Sequence, residues 1–99
     1  MSKDKGLPQM VRIMDYIQQQ AGNEGTDVTS WLKLYADGVT SGYGSREEAD
    51  EEESIRLSKE TPLYPEDVAE IKLAMRPDFN ERTIAIAIGE FIRDTIASQ

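Results

Sequence analysis

Six carboxylates fall within seven consecutive positions: Glu47, Glu48, Asp50, Glu51, Glu52 and Glu53. Side chains of this type at this density offer three kinds of chemistry. Along a helix they imitate the phosphates of a nucleic acid and fill a basic cleft; gathered in a loop they ligate a hard cation; facing water they only keep a protein soluble. The cation reading fits worst, because an oxygen cage needs a folded loop such as D-x-D-x-D-G with a distant Glu, and no such spacing occurs. A continuous helix would also point the six side chains in several directions.

Other chemistry is scarce. The chain has no Cys and no His, so it forms no disulfide, no thiolate or imidazole metal site, no Cys nucleophile and no Ser/His/Asp triad. Gly42-x-Gly44 resembles a phosphate loop only superficially: Glu47 stands where the third glycine of a dinucleotide fingerprint would be, and no Lys-Ser/Thr follows. Glu66, Asp67 and Glu70 are read as helix-surface acids facing water, since no cleft-forming scaffold surrounds them. No metal, cofactor or catalytic residue is expected. Tyr43, flanked by Gly42 and Gly44, has few neighbours to bury against and joins the six acids as a candidate contact residue. Val28, Trp31 and Tyr35 share a helical face and are assigned to core packing.

The charge distribution bears on partners. The chain carries 19 acids and 11 bases, a net charge of −8. Residues 1–36 and 71–99 each hold four acids and four bases, whereas residues 37–70 hold eleven acids against Arg46, Arg56 and Lys59. The whole excess therefore sits in the middle third. Without a Lys/Arg cluster, direct binding to nucleic acid or to an anionic membrane surface is disfavoured, and a basic protein surface is the natural electrostatic complement. Arg76, Arg82 and Arg93 lie apart, each near acids, and read as local ion-pair partners.

The elements that must position these residues are helical. Leu7, Met10, Val11, Met14 and Ile17 recur at helical spacing, with Pro8 suited to open the segment and Gly22 to close it, predicting a helix over 8–21. A turn over 22–25 leads to a second helix capped by Thr26, carrying Val28, Trp31, Leu32 and Tyr35, and stopped at Gly38. Residues 38–45 read as a loop. Ser45 and Glu48 form a capping-box pattern for an acidic third helix over 46–60, in which Glu52 and Arg56 are spaced to pair. This helix has too narrow an apolar stripe to bury itself and is expected to lie mostly solvated, able to fray or detach. Thr61 to Pro65 break the chain. Pro65 opens a fourth helix with Val68, Ile71 and Met75 inside, and Pro77 ends it. Asp78 or Asn80 caps a last helix carrying Ile84, Ile88, Phe91, Ile92, Thr95 and Ile96. Residues 83–88 alternate with period two as a strand would, but the intervening alanines favour helix and no second strand is available to pair.

The sequence thus predicts one all-α domain over 1–99, a small bundle of four to five short helices whose first, second, fourth and fifth form the core, preceded by a flexible 1–6. No run of about 18 apolar residues occurs, and the N-terminus lacks a signal-peptide h-region, so a cytoplasmic protein is expected. The functional expectation is a small non-enzymatic regulator or inhibitor, of the kind encoded as an accessory protein by phages and mobile elements. It would occlude a basic protein surface, such as one that holds nucleic acid, with Glu47, Glu48, Asp50, Glu51, Glu52 and Glu53 in place of phosphates and Tyr43 beside them. The alternative is an assembly or adaptor subunit that pairs through apolar helix faces, for instance as a homodimer.

Overall fold

A computed structural model describes residues 10–40 and 48–97, the side chains of 39, 40, 48 and 49 apart. Tyr43, Glu47, the Glu48 side chain, the Ser45 cap and the 1–6 segment lie outside these residues. Five helices occupy the described chain: α1 (Ile13–Asn23), α2 (Val28–Thr40), α3 (Glu48–Glu60), α4 (Pro65–Met75) and α5 (Glu81–Ala97). The chain is an all-α bundle, and residues 83–88 are helical.

The core is built from α1, α2, α4 and α5. Ile13, Ile17, Leu32, Ala36, Ile71, Met75, Phe91 and Ile92 are fully buried within one apolar cluster. Trp31 and Tyr35 pack half-buried on Phe91, with ring centroids 5.5 and 4.7 Å from it. α5 is the central helix. Its residues Ile84, Ala87, Ile88, Phe91 and Ile92 face the cluster, yet Ile86 and Gly89 on its other side are buried too. A helix apolar on most of its circumference belongs inside, and this accounts for the alternating Ile84, Ile86 and Ile88.

Several boundaries differ from the expectation. α1 begins at Ile13 rather than at residue 8, because Val11 donates its N–H to the Pro62 carbonyl at 2.9 Å and forms an isolated parallel bridge with Leu63. That pairing fixes extended backbone where local periodicity suggests helix. Asp27, not Thr26, caps α2: its Oδ1 accepts the Ser30 N–H at 2.7 Å and its carbonyl the Trp31 N–H. α2 runs through Gly38 to Thr40, so residues 38–40 are helix and not loop. At α5, Asn80 Oδ1 accepts the Thr83 N–H at 2.8 Å, the expected cap. Pro65 is the first residue of α4, where its missing N–H costs nothing.

Candidate partner-binding surface

The acidic residues are presented by α3, and the manner of its attachment decides how. α3 carries few apolar residues, and among its described side chains only Leu57 packs against the core cluster. Its close contact is made instead by small residues. Gly89 of α5 lies directly against the α3 backbone: a Cβ at that position would stand 2.0 Å from the Ser54 carbonyl oxygen and 2.6 Å from its Cα. Ser54 is wholly buried, and its hydroxyl donates to Glu90 Oε2 at 3.2 Å. The helix expected to lie mostly solvated, able to fray or detach, has this seat on α5, where helix backbones meet through Gly and Ser without large apolar side chains.

Charge reinforces the same seam. Arg82 of α5 reaches Glu51 at 3.1 Å and Glu52 at 3.6 Å. Arg82, Ile86, Gly89, Glu90 and Arg93 recur at helical intervals along α5, so a single stripe of that helix serves α3. On α3 itself, Arg56 bridges Glu53 at 2.8 Å and Glu60 at 3.1 Å. The expected Glu52–Arg56 pair is not formed: Glu52 turns to Arg82, and Arg56 takes Glu53 and Glu60 on either side. The Arg56 guanidinium holds the Glu53 carboxyl below the ordinary carboxylate value.

The outward face of α3 thus differs from a bare row of phosphates. Asp50, Glu52 and Glu60 are exposed and Glu53 keeps 45% of its side-chain surface, but Glu51 keeps 27% and faces α5. Over 50–60 the helix carries five acids, Asp50, Glu51, Glu52, Glu53 and Glu60, against Arg56 and Lys59, a net of −3. What α3 offers is a ridge of carboxylates, most of them paired with arginine. Among the described residues no group of three or more His, Cys, Asp or Glu is arranged to hold a metal ion.

Comparison with protein-family models, curated proteins and solved structures finds no match to this chain.

A second polar cluster was not foreseen from the sequence. Asp67 is buried, contrary to the reading of it as a water-facing acid, and its Oδ2 accepts the Met14 N–H at 3.3 Å. A carboxylate from α4 therefore caps the start of α1, where Arg12 supplies no side-chain cap of its own. Arg12 stands over the Tyr64 ring at 3.9 Å and pairs with Glu66 at 2.8 Å and Asp67 at 3.6 Å. The cluster borders an open cavity of about 330 Å³ that Asp15, Gln18 and Glu70 also line. Its evident work is structural, fixing the entry into α1. No local pattern could reveal it, since Asp67 and Met14 lie 53 residues apart. Between α1 and α5, the Tyr16 hydroxyl donates to Asp94 at 3.2 Å, and burial pushes the pKa values of both groups up.

Apolar surface is also presented. Leu34 of α2 is 69% exposed and borders a shallow cavity of about 300 Å³ with Trp31 and Tyr35, and Leu73 of α4 is 77% exposed. Among the described residues, no helix is long and apolar enough to cross a membrane.

Proposed function

We propose that this chain is a non-catalytic regulator that engages a basic protein surface through the outer face of α3, excluding whatever polyanion that surface otherwise binds. The observation that carries the reading is the close seating of Ser54 against Gly89, which presents carboxylates at fixed positions on a rigid support. Pre-positioned charges lose less side-chain freedom on binding than charges on a mobile tail, and orientation by Arg56 and Arg82 adds to this. The residues assigned to the contact are Asp50, Glu52, Glu53 and Glu60, together with Glu48 at the start of α3 and with Glu47 and Tyr43 before it. Glu51 serves instead to anchor α3 to α5 through Arg82. Cytoplasmic residence and an origin in a phage or mobile element accompany this reading.

The test is affinity capture from source-cell lysate at low and high salt, with the native chain and a D50N/E52Q/E53Q/E60Q variant as baits. Occlusion predicts a basic partner captured by the native chain at low salt and lost with the variant or with added salt, because exposed charge pairs are screened. A partner held equally by both baits at both salts contradicts it. That result would instead favour association through apolar surface such as Leu34 and Leu73, including self-association.

A further inference from the structure

Eight basic side chains lie among the described residues, and carboxylates hold six of them: Arg12, Lys33, Arg56, Arg76, Arg82 and Arg93. The two that no carboxylate holds, among the described residues, are Lys59 and Lys72. Both line one partly open cavity of about 190 Å³ bordered by α3, α4, α5 and the connection over 61–64. Its apolar wall is formed by Leu63, Val68, Ile84 and Ile88. Glu81 also borders it, but its carboxylate is engaged by Arg76. Among the described residues of this chain, whose net charge is −8, cations left without acids are the exception.

Each lysine lies in the last turn of its helix, where it complements the helix dipole. Dipole complementarity does not require two helices from different parts of the chain to bring their lysines to one apolar cavity. We infer that this cavity binds a small monocarboxylate with a compact apolar body, its carboxylate held by Lys59 and Lys72 and its body resting on Ile84 and Ile88. The size sets the class: a dry cavity of roughly 150 Å³ accommodates benzene, so a single ring or a short branched chain fits and a long acyl chain does not. Inorganic phosphate would satisfy the lysines but leave the apolar wall uncovered.

Benzoate is the probe, titrated into the isotope-labelled full chain and followed by amide NMR, with benzyl alcohol and benzylamine as its neutral and cationic counterparts. The expected result is saturable shifts centred on Leu63, Val68, Ile84 and Ile88, with a Kd on the order of millimolar for so small a ligand. Benzyl alcohol should bind at least about tenfold more weakly, the loss of one charge-assisted contact, and benzylamine not at all. A K59Q/K72Q variant should lose about tenfold in benzoate affinity. Lys59 is exposed and Lys72 half-buried, so this variant should keep the native spectrum. Ala85→Leu fills the cavity while leaving both lysines, and it should abolish binding. The inference is overturned by equal affinity for benzoate and benzyl alcohol, by shifts scattered over all basic residues, by indifference to both variants, or by no saturable shift with benzoate raised to roughly tenfold above a millimolar Kd.

Discussion

Gly89→Ala is the most searching single substitution. In an ordinary helix interior the change stabilises by up to about 1 kcal/mol, because glycine carries more conformational entropy into the unfolded state. Here the new methyl would stand 2.0 Å from the Ser54 carbonyl oxygen, where ordinary contact begins at 3.4 Å, so α3 must retreat by about 1.4 Å. The obstacle is backbone and has no rotamer in which to move aside. Overpacking a close-fitting seam typically costs 1–3 kcal/mol, and a clash of this depth belongs at the upper end. Set against the propensity gain, the net loss is about 2 kcal/mol. For a domain of this size that lowers Tm by roughly 10 °C, measurable by circular dichroism with urea titration as a second readout. Gly22→Ala is the internal control, since it lies in α1 with nothing within 4 Å of its added Cβ, and it should raise stability by about 0.5 kcal/mol. If Gly89→Ala is neutral or stabilising like Gly22→Ala, α3 is not seated on α5 and the proposed rigid support fails with it.

Three further outcomes follow from the same geometry. Asp67→Ala removes the acceptor for the Met14 N–H and the buried partner of Arg12, and should destabilise by about 2 kcal/mol in urea unfolding; an unchanged midpoint would show that α1 does not depend on this cap. Gly25→Ala places a side chain at φ 72° and should cost about 1 kcal/mol, in contrast to Gly22→Ala. Asp27→Ala should lower Tm in a pH-dependent way. The Ser30 N–H holds the Asp27 carboxyl below its ordinary value of 3.8. A depressed carboxylate contributes stability above the unfolded-state pKa and loses it as pH falls through the folded-state pKa. The native and variant melting temperatures should therefore differ at pH 5 and above and converge as pH drops below about 4; a difference independent of pH would exclude charge capping.

The fold was largely legible because its signals are local. Ile84, Ile88, Phe91 and Ile92 at helical spacing, Pro65 at a helix start and Asn80 at a helix cap each act within one or two turns, and the structure holds all of them as read. What was hidden depends on distant pairings. α1 starts late because Val11 pairs with Leu63, and Asp67 is buried because α1 begins beside it. The docking of α3 was invisible to hydrophobic periodicity, since the contact is between a glycine and a serine and buries backbone. One cue was present: Gly89 interrupts the strongest helix in the chain, and an isolated glycine there has a packing reason. The acidic run was obvious as composition, but composition could not show that Glu51 and Glu52 turn to Arg82 while Glu53 turns to Arg56. Likewise nothing in sequence order brings Lys59 and Lys72 to one cavity.

The central claim is that α3 carries the contact with a basic partner, and zero-length carbodiimide cross-linking of the captured complex, read by mass spectrometry, tests it most directly. The account predicts cross-links joining partner lysines to Asp50, Glu52, Glu53 or Glu60, suppressed by added salt. Cross-links confined to carboxylates remote from α3, such as Asp15, Glu24 or Asp78, and indifferent to salt would contradict it.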